Sequence, residues 1–445
     1  MEPGDARLLR TGCQRYSQSM RPLQPSQIPD WVKLEHQVAQ ILTEQELHGW
    51  YFDERAAWQL SSALRTELEE TCRVLQNRHP FYPRSEFTPK ANNRRYGYIA
   101  GATFTRTTEF NPVSRDHIAW CLQEHYKWKP TKFTPTGKVL IDEIVLNEVA
   151  AGGITIAEDF LKCLTITKKL GMISEGVNAW LKLCTTASRI HHHCSVATNT
   201  HRCAHRRPNL SQVPSDHDCR QLFKASPGKV MVGADLSGIE LRMLANILSK
   251  YDEGRYADIL LNGDIHQVNA DKIGISRRQV KTITYAFLYG AGNAKIGLSF
   301  DSSLNREEAE KKGANIRKKF VSAIDGLKDL LRDIKQESQQ GFIKSIDGRP
   351  IKVDSPHKSL NYLLQSGAGV VAKRWMILAN ESLKDIDCHQ LAFIHDELQY
   401  ETHPKHAKYL SQCLLESARR AGEYYNLRIP IAAEAKEGHS WADVH

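Results

Sequence analysis

Acidic residues occur where two predicted strands end. The apolar run KVMVGAD closes at Asp235, and LAFIHDELQYE has the pattern of two short strands that turn at His395–Asp396, with Glu397 next. If these strands are neighbours in one sheet, their carboxylates converge at its edge, where mutual repulsion favours bound cations. Two Mg²⁺ ions on paired aspartates are a standard arrangement for in-line phosphoryl transfer. Ordinary acids at strand ends are the alternative interpretation.

A second set of chemically suited side chains recurs at intervals of four residues in the segment RRQVKTITYAFLYGAG. The set consists of Arg277, Lys281, Tyr285 and Tyr289. Four residues advance an α-helix by about 6 Å and roughly 400° of turn, so these side chains share one face. Two such cations suit phosphate groups, and the rings offer flat surfaces for a base or a sugar. An amphipathic helix with a basic first turn is the alternative, but it does not explain why cations run into aromatic residues.

The composition of the whole chain is that of an ordinary soluble protein. Its 445 residues are 41% hydrophobic and 25% charged, which predicts two or three domains rather than one core. The sequence has no apolar run near the roughly 18 residues of a membrane span, and its N-terminus has no secretory signal. The net charge of +9 suits an anionic partner such as nucleic acid, although a plain basic surface is also a fair interpretation.

Cysteine and histidine are concentrated in one short segment. Ten cysteines are scattered along the chain without a C-x-x-C pair, which favours reduced thiols over a disulfide scaffold. The segment HHHCSVATNTHRCAH, from His191 to His205, has five histidines and two cysteines, which are the ligand types that zinc prefers. Its spacings match no standard zinc pattern, so the sequence leaves a zinc site as the weaker interpretation.

The elements that must position these residues follow from hydrophobic periodicity. A long helix is predicted after Asp53, which can cap it, because apolar residues recur at helical spacing as far as Leu75. Later patterns predict a strand ending at Asp235, a mostly helical block over 250–380, two strands over 391–401 and a last strand within 428–441. Strands that bracket a helical block indicate an α+β catalytic layer with a helical insertion.

A basic and aromatic segment, residues 76–100, interrupts the first helical region. Three prolines forbid a long helix there, and we predict a loop. Cations alternate with rings, a mixture that suits a nucleic-acid backbone and its bases. A solvated surface loop without a partner is an equally good interpretation. The residues are Arg78, Phe81, Tyr82, Arg84, Phe87, Lys90, Arg94, Arg95, Tyr96 and Tyr98.

Together these motifs resemble family A DNA polymerases, the DNA polymerase I family, and more narrowly the replicative polymerases of T-odd podophages. Three segments resemble the polymerase motifs of that family and occur in the same order: DLSGIELR (235–242), RRQVKTITYAFLYG (277–290) and IHDE (394–397). Further matches are THRCAHRRPNLSQVP (200–214), DGRPIKVDSPHKSLNYLLQSGAG (347–369), NGDIHQ (262–267), RDHI (115–118) and EGVNAWL (175–181). The resemblance covers residues 31–445 and implies a right-hand α+β fold with a helical thumb, an antiparallel palm sheet and helical fingers inserted in the palm.

The resemblance implies a role for each matching side chain in adding a dNTP to a primer 3′ end. Asp235 and Asp396, with the Leu236 carbonyl, would hold two Mg²⁺ ions, with Glu397 beside them and His395 near the primer end. The side chains that would grip the triphosphate are His266, Arg277 and Lys281. Those that would contact the sugar and the new base pair are Tyr285, Tyr289 and Glu240, with Glu240 holding Tyr289 and excluding ribonucleotides. Contacts to primer–template DNA would come from Arg202, Asn361 and Gln365.

The resemblance also implies a division of the chain. We expect a loose tail, a thumb-like region, a first palm part, fingers and a second palm part over 1–30, 31–199, 200–247, 248–375 and 376–445 respectively. No 3′–5′ exonuclease domain precedes the thumb-like region, so we expect no proofreading. The stretch that would match the thioredoxin-binding insertion is short, which puts thioredoxin in doubt as a partner. We expect a monomer with no membrane partner, phage- or prophage-encoded and acting in the bacterial cytoplasm.

One departure and two alternatives stay open at the level of sequence. His201 replaces the usual glycine of the T-G-R segment, and this could alter contacts to the DNA minor groove or simply pack differently. A single-subunit RNA polymerase has a similar plan, but Glu240 on the sugar 2′ side argues against it. A decayed polymerase that only binds DNA is the second alternative, and the unbroken set of metal and triphosphate residues opposes it.

Overall fold

The strands that end in acids lie side by side in the computed structural model, which describes residues 28–445 apart from residues 197, 302, 303 and 305. The predicted loose tail, 1–30, lies almost wholly outside the described residues. No helix in this part of the chain is long and apolar enough to cross a membrane.

Helices make up most of the described structure. They are α1 (Asp30–His48), α2 (Glu54–Arg78), α3 (Arg115–Tyr126), α4 (Glu143–Ala151), α5 (Ile156–Leu170), α6 (Trp180–Leu183), α7 (His217–Arg220), α8 (Ile239–Leu248), α9 (Arg255–Asn262), α10 (Ile265–Ile273), α11 (Arg277–Leu288), α12 (Asn293–Phe300), α13 (Arg306–Ala323), α14 (Leu327–Ser338), α15 (Ser359–Ser382), α16 (Ala407–Tyr424) and α17 (Trp441–Val444).

The strands form one four-stranded sheet and several smaller ones. They are β1 (Trp50–Phe52), β2 (Phe81–Phe87), β3 (Phe104–Glu109), β4 (Arg189–Ile190), β5 (His193–Ser195), β6 (Ala204–Arg206), β7 (Phe223–Lys224), β8 (Val230–Leu236), β9 (Phe342–Lys344), β10 (Pro350–Lys352), β11 (Cys388–Ile394), β12 (Glu397–Thr402) and β13 (Ala433–Gly438).

The four-stranded sheet has the order β11-β12-β8-β13, and every neighbouring pair is antiparallel. Side chains alternate between its faces. Val232, Ala234 and Leu398 belong to a large core that also takes in α15 and α16, whereas Met231 packs on the other side with Trp441 of α17. The predicted strands ending at Asp235 and over 391–401 are confirmed.

A helical insertion separates β8 from β11. It runs from α8 to α15, interrupted by the β9–β10 hairpin, and its buried residues join the core of the sheet, as predicted for 250–380. The chain leaves β8 through Gly238, whose φ of 58° is a left-handed conformation that glycine adopts without strain. Arg242 braces the same turn, because its guanidinium donates to the carbonyls of Ser237 and Pro430 at 2.7 and 2.6 Å.

The region before β4 has a helical core of its own, built on α2, α3, α4 and α5. Helix α2 begins as predicted, because the Asp53 carboxylate accepts a hydrogen bond from the Ala56 N–H at 2.9 Å. By contrast, α1 packs in the core of the main sheet, against α15 and β11.

The segment predicted as a loop over 76–100 is different in the structure. Helix α2 continues to Arg78, and β2 and β3 then form an antiparallel hairpin with Phe87 opposite Phe104. The prolines do not prevent the strand, because Pro83 borders an irregularity in the pairing, where a missing N–H costs little. The hairpin is largely exposed, and the Arg106 guanidinium lies 3.7 Å from the centre of the Phe87 ring.

Candidate active site

The predicted acids converge at one edge of the four-stranded sheet. Asp235, near the end of β8, is the Cα partner of Glu397, at the start of β12. The turn before β12 is tied to β8, because the Leu236 N–H donates to the Asp396 carbonyl at 3.0 Å. On the other side of β8, Glu434 of β13 also pairs with Asp235. The edge is therefore strongly acidic.

The electrostatics of the two aspartates fit a site for cations. Loss of surrounding water, and then the nearby Asp235 and Glu240 carboxylates, raise the pKa of Asp396 to about 7. The pKa of Asp235 is raised to about 6, first by loss of water and then by Glu397. Both aspartates therefore ionise more readily when a positive charge lies between them, and carboxylate oxygens are the ligands that Mg²⁺ prefers.

Glu397 differs from the two aspartates because its carboxylate is already satisfied. It accepts hydrogen bonds from the Trp441 indole N–H at 2.6 Å and the Gln399 amide at 2.5 Å. His445 lies 3.3 Å from its other oxygen. Burial alone would raise the pKa of Glu397, but the contacts with His445, Trp441 and Gln399 bring the pKa below its usual range. Glu397 is thus held as an anion against α17, beside the two aspartates.

Glu240 connects the acidic edge to α11. Its Oε1 atom accepts a hydrogen bond from the Tyr289 hydroxyl at 3.1 Å and an ion-pair contact from the Arg202 guanidinium at 2.7 Å. His395, which has a φ of 60°, forms the turn above Asp396, and its Nδ1 atom is buried with no partner among the described residues. Five of the predicted site residues therefore lie in one cluster: Arg202, Glu240, Tyr289, His395 and Asp396.

Helix α11 presents the predicted row of cations and rings. Ser276 and Gln279 begin the helix with a reciprocal capping box. Arg277 is half-exposed and forms an ion pair with Asp264 at 2.6 Å, whereas Lys281 is exposed and makes no hydrogen bond or ion pair with any described residue. Tyr285 lies further along the row, with its ring 6.1 Å from that of the buried His266. The row faces the acidic edge at Tyr289.

Two of the three residues predicted to contact DNA, Asn361 and Gln365, lie on α15, and one of them contacts the end of α11. The Asn361 amide donates to the Leu288 carbonyl at 2.6 Å, so this buried side chain caps the helix just before Gly290, whose φ is 70°. Gln365 lies one turn further along α15 and is half-buried.

His201 occupies a backbone conformation that favours glycine, with a φ of 60°. Its ring Nδ1 lies 2.6 Å from the Ser366 hydroxyl. A specific hydrogen bond to α15 therefore offsets the strain of placing histidine where the resembling family has glycine.

Sequence reasoning missed the residues that orient the predicted ones. Trp441, Gln399 and His445 fix Glu397, and Asp264 holds Arg277. The sequence did contain a signal for Gln399. It lies two residues after Glu397 in a predicted strand, so the two side chains must share a face of the sheet. The pairing of Asp264 with Arg277 had no local signal, since it joins two different helices.

Comparisons with known proteins agree with this geometry. A model of DNA polymerase family A matches residues 90–443. The DNA-directed DNA polymerase of Enterobacteria phage T3 is 34% identical, with 93% of this chain and 70% of that protein covered. The DNA-directed DNA polymerase of Escherichia phage T7 is 33% identical with the same coverage. The POL domain of Pol1 from M. smegmatis, in complex with DNA primer-template and dNTP, matches with a TM-score of 0.74 at 21% identity, covering 92% of this chain and 70% of that one.

An α+β fold with an acidic sheet edge facing a helix of cations and rings defines a right-hand polymerase, with a helical thumb, an antiparallel palm sheet and fingers inserted in the palm. The chain belongs to DNA polymerase family A and is a DNA-directed DNA polymerase.

Proposed function

We propose that the chain extends a DNA primer by a two-metal reaction at the acidic edge. Asp235, Asp396 and the Leu236 carbonyl would hold two Mg²⁺ ions, which when bound activate the attacking 3′ oxygen and steady the leaving group. The observation that carries the proposal is the pair of aspartates at one sheet edge, both with raised pKa values. Glu397, fixed by Trp441, keeps a further negative charge beside them.

The cations and rings of α11 suit the incoming nucleotide. Arg277 and Lys281 would bind the triphosphate with His266, whose buried Nδ1 atom has no partner among the described residues. Tyr285 would pack on the sugar. Tyr289, held by Glu240, would support the new base pair, and Glu240 would exclude a 2′-hydroxyl.

Primer–template DNA would lie across the palm, between thumb and fingers. Arg202, Asn361 and Gln365 would contact it near the growing end, with His395 close to the primer terminus. The proposed boundaries are 31–199 for the thumb-like region, 200–247 and 376–445 for the palm, and 248–375 for the fingers. A net charge of +9 supports binding to a polyanion.

We further propose that this chain extends primers without proofreading, since the polymerase fold accounts for its described residues. It would act as a monomer in the bacterial cytoplasm, in phage replication. Thioredoxin as a partner is a separate question, and extension assays with and without thioredoxin would answer it.

The test is extension of a labelled primer on a template with dNTPs and magnesium. Asp396→Asn should lower the rate of extension roughly a thousandfold, because the transition state loses about 4 kcal/mol of stabilisation. It should leave DNA binding intact. Asp387→Asn, at the far end of the same strand pair, is the matched control. Extension that survives in Asp396→Asn would reject the mechanism, and binding without extension by the wild type would indicate a decayed polymerase.

Proofreading needs its own assay. The wild type, incubated with magnesium and a primer bearing a mismatched 3′ end but without dNTPs, should leave the primer at full length. Shortening of the primer would contradict the proposal.

A further inference from the structure

A cluster of metal-binding side chains lies outside the polymerase site. His192, Cys194 and His205 each offer one ligand atom, and these three atoms lie within 4.8 Å of one another. All three residues are buried, with His192 fully enclosed. They form the only group of three or more such side chains this close together in the described part of the chain.

The β5–β6 hairpin brings these residues together. Cys194 and His205 are directly opposite each other, and the Cys194 Sγ lies 3.2 Å from the His205 Nδ1. His192 precedes Cys194 by two residues and therefore shares its face of the strand. His193 points to the other face, where it contacts Glu46 at 2.8 Å. Strand alternation thus places His192 on the same face as Cys194, whereas His191 and His193 both contact Glu46.

The cluster is under-satisfied as it stands. The His192 Nδ1 and the His205 Nε2 atoms are buried without a hydrogen-bond partner among the described residues. Buried polar atoms are nearly always paired, and each unpaired one costs on the order of 1–3 kcal/mol. A cation at the cluster would accept an electron pair from one nitrogen of each ring, and the His205 nitrogen that faces the Cys194 Sγ is Nδ1. Both cysteine and histidine are ligands that zinc and similar soft divalent ions prefer over magnesium.

We propose that His192, Cys194 and His205 bind one zinc-like divalent ion. Three protein ligands leave one position of a tetrahedron. Cys203 is our candidate for it, because it is buried, with an exposed fraction of 3%, and it precedes His205 by two residues; its sulfur lies outside the group of atoms within 4.8 Å and would move toward the ion on binding. On binding, the Cys194 thiol loses its proton to solvent and the thiolate ligates the ion.

The ion would stabilise the elements that lie beneath the polymerase site, which are α1, β11 and the turn before β12. Gln45 of α1 lies 3.0 Å from the His192 ring and also accepts from the Gln390 amide of β11 at 2.8 Å. The His205 ring lies 6.0 Å from the ring of His395, in the turn that carries Asp396. The bound ion would therefore join the β5–β6 hairpin to α1 and to the catalytic strand pair.

The experiment measures metal in the full chain, purified without a histidine tag. After exposure to zinc chloride and gel filtration, elemental analysis should find one zinc per wild-type chain. Cys194→Ser should lose it, since serine keeps a hydrogen-bonding group at the site but not the thiolate. His193→Gln, on the opposite face of the hairpin, and Cys121→Ser, a buried cysteine elsewhere, should keep it.

Cobalt identifies the ligands independently of stability. Protein stripped of metal and titrated with cobalt(II) should develop a thiolate-to-metal absorption band that Cys194→Ser lacks. Removing the ion should also lower the melting temperature of the wild type but not that of Cys194→Ser. No zinc in the wild type after loading would overturn the proposal, as would equal zinc in Cys194→Ser and His193→Gln.

Discussion

Neighbouring carboxylates at the acidic edge have different environments, and the difference fits different roles. Asp235 and Asp396 have raised pKa values because they have lost water and face other acids. Glu397 is directly beside them, yet a ring N–H, an amide and His445 hold it as an anion. A bound cation would displace protons from the two aspartates, whose pKa values are raised, so they are the better candidates for direct ligands.

Tyr285 supports a prediction about sugar selection. The family resemblance implies phenylalanine or tyrosine at this position, and we propose that the Tyr285 hydroxyl stands in for the missing 3′-hydroxyl of a dideoxynucleotide. The wild type should incorporate ddNTPs readily, and Tyr285→Phe should do so less well while adding dNTPs at a similar rate. Competition between ddNTP and dNTP in primer extension measures the ratio. Equal ratios in the two forms would count against this role.

Asp264 is placed to compete with the triphosphate that we propose Arg277 binds. It forms an ion pair with Arg277 and also accepts from the His266 and Gln267 N–H groups at the start of α10. Asp264→Asn keeps the cap, because asparagine is an equally good N-cap residue, but removes the competing charge. We expect the KM for dNTP to fall about two- to fivefold, as for an exposed ion pair.

The matched control for Asp264→Asn is Asp271→Asn, an exposed acid on the same helix, which should leave the KM unchanged. A higher KM in Asp264→Asn would mean that Asp264 orients Arg277 for the substrate instead of occupying it.

At the scale of elements, strand β12 carries a row of polar residues on one buried face. Glu401 is fully buried there, 2.8 Å from His48 of α1 and 2.7 Å from the Ser226 N–H. Burial would raise its pKa, but hydrogen bonds from His48 and Ser226 lower the pKa to about 2 from the ordinary 4.5. A lowered pKa stabilises the fold above pH 4.5, by on the order of 3 kcal/mol, and this is lost as the pH falls toward 2.

Glu401→Gln tests that dependence. The difference in free energy of unfolding between wild type and variant, measured with urea, should be largest at neutral pH and shrink as the pH falls below 4.5. A difference that stays constant over this range would show that Glu401 stabilises by packing alone.

The β2–β3 hairpin is the element suited to hold DNA beyond the active site. Because Phe87 and Phe104 are opposite each other, an Asn-Gly turn can replace residues 88–103 without disturbing the strands. We expect unchanged single-nucleotide addition but shorter products per binding event. The slope of log affinity against log salt should become shallower by about 0.9 for each phosphate group that the shortened hairpin leaves unneutralised.

A second variant separates charge from shape in this hairpin. Changing Lys90, Arg94 and Arg95 to glutamine keeps the length of the tip and removes its exposed cations. If the cations alone are responsible for DNA binding, the glutamine variant should show the same product length and salt dependence as the shortened variant. If neither variant changes product length or salt dependence, the hairpin does not contact DNA.

For the whole molecule, the described chain has three cores: one joins a face of the sheet to the fingers and α1, one joins the other face of the sheet to β1, α2, α5 and α17, and one is the helical core before β4. Helices α2 and α5 contribute residues to both of the last two cores, so they connect the helical region before β4 to the sheet. Helices α8–α15 share the core of the sheet, and the hydrogen bond from Tyr289 to Glu240 connects α11 to the acidic edge.

The sequence by itself determined much of the local structure and which side chains are the candidate catalytic groups. The start of α2 at Asp53, the row on α11 and the acid at the end of β8 follow from periodicity and capping, which involve residues close together in the chain. The family resemblance added their roles and the right-hand fold, and the comparisons bear out the family and the fold.

Only the tertiary structure decided how distant residues meet. The pairing of Asp235 with Glu397, the capture of Glu397 by Trp441 and the tie between Asp264 and Arg277 all depend on packing between separate elements. The histidine-rich segment shows the same limit. Its spacing matched no metal pattern, and a hairpin was needed to select His192, Cys194 and His205, because strand alternation, not sequence distance, brings ligands to one face.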